Sequence, residues 1–162
     1  MMKRPLTVCL ALLVGASTAL VGVTPASASP FSGETRSYVL TVTEAYVVDV
    51  GQPGTTHGDI AVRNGVIRST SGKKLGSFTS VQIVVGKDSK KATEDRDSRM
   101  QFNFASGSIM ASGTITAPQG GGLVTDHEFA IVGGTGKFAG AMGTMMVEPM
   151  KAPKFGATFA FM

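Results

Sequence analysis

From Arg36 to about Val50 the chain alternates without a break: Tyr38, Leu40, Val42, Glu44, Tyr46 and Val48 fall on one face, and Val39, Thr41, Thr43, Ala45 and Val47 on the other. Side chains that change face at every residue belong to a strand, and the β-branched and aromatic residues that dominate this run suit a pleated surface. No 3.6-residue period and no helix cap interrupts it. Gly51-Gln52-Pro53-Gly54 ends the strand, because Pro lacks the ladder N–H and Gly permits a turn. Further runs follow at short spacing, over about 59–69, 75–85, 100–105, 108–117, 126–132, 143–148 and 156–161. Ser71-Gly72, Ser106-Gly107 and the stretch 118–122 supply the turn chemistry between them. Eight strands and essentially no helix predict an all-β sandwich or closed barrel, and periodicity favours neither. A barrel of eight strands has room for packed side chains or for one small ligand.

Several runs are apolar on both faces, such as Val81, Ile83 and Val85 with Val84 between them. One face must fill the interior. The other predicts a covering partner and hence an oligomer, because a sheet face open to water ordinarily alternates cleanly.

The first 28 residues read as a secretory signal: Lys3 and Arg4 give a positive start, 6–23 an apolar stretch, and Ala26-Ser27-Ala28 a small-residue cleavage site. Cleavage before Ser29 predicts a secreted protein with a single domain over 29–162, and it removes Cys9, the chain's one cysteine. Disulfides and thiol chemistry are thereby excluded from the mature chain, so its stability must come from the core. Without Lys3 and Arg4 the basic count falls from 15 to 13 against 11 acidic residues, a net charge of +2. That balance does not argue for nucleic acid. The mixed-sign stretch Lys87 to Arg99 reads as a solvated loop and not as a phosphate-binding patch. No mature stretch approaches the roughly 20 apolar residues that span a membrane.

The last third carries the most specific motif, Phe129-Ala130-Ile131-Val132 followed by Gly133-Gly134-Thr135-Gly136-Lys137-Phe138-Ala139-Gly140-Ala141-Met142-Gly143. Gly134-x-Gly136-x-x-Ala139 resembles a dinucleotide fingerprint, but that fingerprint requires a following helix, a parallel strand and an acidic residue about 20 positions on. The chain offers Gly, Thr, Val and Pro there and ends at Met162. A sharp corner between antiparallel strands explains the glycines better.

Gly133-Gly134-Thr135-Gly136-Lys137-Phe138 with Ala141-Met142-Gly143 resembles the signature shared by allene oxide cyclases and plant dirigent proteins, Gly-Gly-[Ser/Thr]-Gly-x-[Phe/Tyr] and then a small residue and Gly. Upstream, 48–54 and His57-Gly58-Asp59 are similar to the first loop and second strand of bacterial allene-oxide-cyclase-like barrels. The pattern departs at Met142, where dirigent proteins usually carry Arg. The resemblance implies an eight-stranded antiparallel, calycin-like β-barrel, a trimer, no cofactor, and cyclase or isomerase chemistry on a small hydrophobic substrate.

Candidate site residues follow from both sources. Glu44 stands among apolar residues of the first strand, where a carboxylate is costly unless paired or protonated and where its pKa is raised. The resemblance places it where the cyclases carry a pocket Glu, with Tyr46 in place of their Asn and Pro53 in place of a pocket-side Pro. A partner role to Arg36, Arg63 or Arg68 remains equally open for Glu44. Asp59 is a second candidate acid, alternatively a strand-start residue bonding backbone amides, and Arg63 follows it by alternation on one side. Tyr38, Phe102 and Phe104, with Met100 and also Met110, Phe129 and Phe138, form an aromatic and Met stripe that lines a pocket or fills a core. His57 and His127 are not paired at metal-ligand spacing, so no metal site is expected. Asp126-His127-Glu128 reads as a solvated strand entrance, because neighbours on a strand point to opposite faces.

These readings predict an exported barrel that binds a small apolar molecule and guides its cyclisation, isomerisation or coupling by orientation, with Glu44 or Asp59 as assisting acid. A non-catalytic secreted binding or structural barrel is the alternative. An open cavity with a perturbed acid marks the first, and an interior closed by Met and Phe the second.

Overall fold

The structure is a computed structural model that describes residues 32–162. The stretch 1–28 expected as a secretory signal, with Cys9, lies outside the described residues. The strands are β1 (Thr35–Val48), β2 (Ile60–Ser69), β3 (Lys74–Asp88), β4 (Thr93–Phe104), β5 (Gly107–Pro118), β6 (His127–Gly134), β7 (Gly143–Pro149) and β8 (Lys154–Phe161), with one 3-10 turn at Gly136–Phe138. Each strand pairs antiparallel with the next, and β8 returns to β1, so the sheet is a closed barrel. Closure leaves no free sheet edge. It also gives every strand one face turned inward and one turned outward.

Two features depart from the reading of the sequence. First, β4 begins at Thr93, and β3 runs on to Asp88. The mixed-sign stretch expected as a solvated loop is therefore mostly strand, with Glu94, Arg96 and Ser98 buried and Asp97 half-buried. Alternation explains it: Glu94, Arg96 and Ser98 are two apart and share the inward face with Met100 and Phe102. Second, the β1–β2 register slips between Val42 and Glu44, where Val42 pairs with Gly65 and Glu44 with the adjoining Asn64. Thr43 is thus an extra residue, a β-bulge, and the alternation of β1 inverts beyond it.

The lower end of the barrel is closed by the glycine corner. Thr135 N donates to Ser108 O at 2.8 Å and Lys137 N to Ser106 O at 2.8 Å, which tie the 3-10 turn to the β4–β5 hairpin. Gly136 has φ +59°, and a Cβ on it would collide with the Ser106 carbonyl, so the corner requires glycine there. The turn drives Phe138 into the barrel, where its ring lies 5.3 Å from that of Phe104. Tyr38, Phe102 and Phe159 continue this aromatic floor, with Phe102 and Phe159 edge to face at 4.9 Å.

At the opposite end the wall is uneven. β3, β4 and β5 have 15, 12 and 12 residues, whereas β6, β7 and β8 have 8, 7 and 8. The β5–β6 ladder stops at Ser112 and the β1–β8 ladder at Thr41. The loop 119–126 fills the space above the short strands and sets Leu123 against the core.

Phe138→Ala is expected to lower the unfolding free energy by about 3–5 kcal/mol, the usual cost of deleting a buried Phe ring. Urea denaturation followed by circular dichroism measures it. A loss under about 1 kcal/mol would show that the corner does not fill the barrel end.

Candidate functional site

The inward faces of β2, β3 and β4 place polar residues where the rest of the barrel places apolar ones. Arg63, Gln82 and Arg96 stand on three neighbouring strands and line both a cavity of about 30 Å³ within the barrel and one of about 60 Å³ at its mouth. Leu40, Phe78, Met100 and Phe129 form apolar wall of the inner cavity, and Leu123 roofs it. Asp59, Glu94 and Gly120 border the outer one.

The two arginines are held differently. Arg96 is 4% exposed and paired with Glu94, 2% exposed: its Nε donates to Glu94 Oε1 at 2.6 Å, and its Nη2 makes a second bond to the same oxygen. Arg96 Nη1 donates to Gln82 Oε1 at 3.1 Å and Nη2 to the Gly121 carbonyl at 2.8 Å. The Glu94–Arg96 pair thereby pins the 119–126 loop over the mouth, with Gly120 N donating to Glu94 Oε1 at 3.4 Å. Arg63 is half-buried and donates from Nη1 to Gln82 Oε1 at 2.6 Å; among the described residues no carboxylate pairs with it. Burial and the neighbouring Arg96 hold the Arg63 guanidinium below its ordinary pKa. Ser80 Oγ, Ser98 Oγ and Glu94 Oε2 are buried without a hydrogen-bond partner among the described residues.

Asp59 lies at the mouth and accepts from Val50 N at 2.8 Å, Thr56 N at 2.7 Å and Thr56 Oγ1 at 3.1 Å. The Thr56 and Val50 amides hold its carboxyl below the usual range, so it stands as an ionised acceptor that closes the 49–59 loop. This is the strand-start geometry weighed for Asp59, set beside the cavity that Arg63 and Arg96 line.

Glu44 does not share the inward face with Leu40 and Val42. Beyond the bulge, Ala45 and Val47 pair with inward Arg63 and Ala61, while Glu44 and Tyr46 pair with Asn64 and Val62 on the outer face. Both are exposed: Tyr46 Oη donates to Glu44 Oε2 at 3.1 Å, and Asn64 Nδ2 donates to the same oxygen at 3.4 Å. The Glu44 carboxylate raises the Tyr46 phenol pKa. Neither residue lines the cavities, and none of Arg36, Arg63 and Arg68 is Glu44's ion-pair partner. Pro53 is exposed on the 49–59 loop. Tyr38, Phe102 and Phe104 are inward but belong to the aromatic floor, away from the arginines. Met110 departs from the expected stripe: it is exposed on the outer face. Among the described residues no group of three or more His, Cys, Asp or Glu could hold a metal ion.

Residues missed in the sequence are Gln82, Glu94, Arg96, Ser80 and Ser98. The available signal was the period-2 spacing of opposite charges at Glu94 and Arg96, continuous in phase with Met100 and Phe102.

No protein-family model matches the chain, and no curated protein does. Solved structures share its fold. A pyocyanin demethylase has TM-score 0.66 and 19% identity, over 80% of this chain and 100% of that chain. A pterocarpan synthase dirigent protein has TM-score 0.61 and 14% identity, over 79% of this chain and 86% of that chain. The Diels Alderase AbmU from Streptomyces koyangensis has TM-score 0.59 and 14% identity, over 80% of this chain and 69% of that chain. The barrel is thus the fold that a dirigent protein and Diels-Alderase cyclases use, as the glycine-corner motif implied.

Asp59 gives the site a pH signature. Its folded pKa is lowered, so its contribution to stability is complete above the unfolded value and is lost as pH falls through the folded one. The melting temperature of Asp59→Asn is therefore expected to lie below wild type at pH 7, with the gap shrinking below about pH 4. Melting curves across pH 2–7 check this; a gap independent of pH would deny the carboxylate its role in the loop.

Proposed function

We propose that this protein is an exported, cofactor-free barrel that binds a small, largely apolar molecule under the 119–126 loop and guides its cyclisation, isomerisation or coupling. The observation that carries the reading is the meeting, inside a closed wall, of an apolar surface with two arginines, of which Arg96 is paired with Glu94 and Arg63 has no carboxylate partner among the described residues. Such a surface orients a flexible molecule by shape along one end and by charge at the other. Orientation alone supplies much of the barrier reduction in a unimolecular ring closure. Asp59, ionised at the mouth, is the carboxylate we assign as a hydrogen-bond acceptor that orients the substrate. A carboxylate has about four acceptor positions and three are taken, which leaves one for substrate. The barrel neighbours named as a Diels Alderase and a pterocarpan synthase dirigent protein support the reaction class. The apolar start of the chain supports export.

One observation favours a second reading, a non-catalytic secreted barrel. The interior cavities of about 30 and 60 Å³ fall far below the roughly 300–1,000 Å³ of ordinary ligand pockets. Binding therefore requires the roof to withdraw. Its three consecutive glycines, Gly120, Gly121 and Gly122, and the half-buried Leu123 suit that movement.

Native mass spectrometry of the 29–162 chain, incubated with unsaturated fatty acids and phenolics, tests the reading. Retention of a small molecule is expected, and Leu123→Ala, at a cost of about 1 kcal/mol, is expected to increase it several-fold by opening the roof. A chain that stays empty in both forms would favour the filled structural barrel.

We further propose a trimer. The outer face of β3 to β6 carries a groove of about 420 Å³ lined by Val81, Met110 and Val132, with Ile83 and Val85 exposed beside it. Sedimentation at micromolar concentration is expected to give three times the chain mass, and Met110→Glu to give the monomer. A wild-type monomer would remove this part of the proposal.

A further inference from the structure

Resting on the reading of the interior as a ligand site, we propose that its ligand is an acid: an apolar molecule whose carboxylate or enolate oxygen is bound by Arg63, with the Ser80 hydroxyl as second donor. Arg96 spends four of its five N–H donors on Glu94, Gln82 and Gly121, and Glu94 offsets its charge. Arg63 is not. It spends one N–H on Gln82 Oε1, its remaining donors have no acceptor among the described residues, and no carboxylate offsets its charge. Gln82 Oε1 accepts from both guanidinium groups, so it cannot neutralise either. The inward face of β2–β4 thus holds one half-buried positive charge that no carboxylate among the described residues offsets.

A buried charge without a partner is costly, and an anion that arrives there regains that cost. Ser80, 2% exposed, has a hydroxyl with no partner and lines the same inner cavity as Arg63. A guanidinium and a hydroxyl side by side suit an oxygen anion, since Arg presents parallel N–H groups to a carboxylate. The lowered pKa of Arg63, which burial and Arg96 cause, is in keeping with a cation awaiting its counter-charge. Leu40, Phe78 and Met100 around the inner cavity require the rest of the molecule to be apolar. Inorganic anions and neutral terpene-like molecules meet only half of this surface.

A matched pair of probes decides it: cis-parinaric acid and its methyl ester, titrated by fluorescence against the 29–162 chain. The wild type is expected to bind the acid about 10- to 100-fold more tightly than the ester, the range a charge-assisted hydrogen-bond pair supplies. Arg63→Met is expected to bring acid and ester to equal affinity without weakening the ester. Arg63→Lys keeps the charge and is expected to retain most of the preference. Arg99→Met is the control, because Arg99 lines the outer groove and would hold an acid bound there. Equal affinity of the wild type for acid and ester would overturn the acid proposal while leaving interior binding intact. Loss of preference in Arg99→Met but not in Arg63→Met would overturn it by moving the anion outside. Failure of both probes to bind would overturn the interior site itself. The wild-type comparison needs no variant to fold.

Discussion

Closure of the sheet by the β1–β8 ladder is the constraint from which the rest follows. Thr35 to Thr41 pair with Ala160 to Lys154, and with that seam made every strand of the meander has a paired neighbour on both sides. Once the sheet is closed, inside and outside are separate environments, and each residue's consequence depends on the face that alternation assigns to it. Leu40, Ile67, Phe102 and Phe159 turned inward make a continuous core, and the same kind of residue turned outward at Val85 or Val132 makes an exposed apolar surface.

The seam does not run the full height of the barrel. β1 continues past Thr41 without β8, and β5 past Ser112 without β6, so the wall is high on one side and low on the other. A low wall needs a cover, and 119–126 provides it. The cover is held by charge: the carbonyl of Gly121 accepts a hydrogen bond from Arg96, and Arg96 is itself neutralised by Glu94 two residues away on the same strand. A buried pair of this kind contributes little net stability over an apolar pair, but it aims donors with directional precision that apolar packing lacks. The pair therefore positions the roof, and Arg63, which has no such carboxylate, is left with its charge available.

The polar end and the aromatic end divide the labour of the interior. Phe138, Phe104 and Tyr38 pack at the floor with neighbouring rings tilted 45–46° to one another. The candidate site lies at the other end, bounded by the loop that Asp59 staples and the loop that Arg96 pins.

Much of this was written in the sequence, because alternation is local: the eight strands, the absence of helix and the glycine corner follow from residues that are neighbours in the chain. Arg63 and Asp59 were legible for the same reason, one by phase and one by its place after a turn. What alternation cannot supply is its own phase across a bulge. Thr43 adds one residue to β1, and because the period of a strand is two, that single residue turned Glu44 and Tyr46 from the inside to the outside. Nor can charge alone say whether it is solvated. Glu94 and Arg96 look like surface residues until β3 and β5 flank them, and only the closed wall turns their spacing of two into a buried pair. The sequence by itself determined the strands and their turns, through local sterics and periodicity. The tertiary structure alone decided which charges are inside, because that depends on register between strands distant in the chain and on the closure that separates the barrel's interior from water.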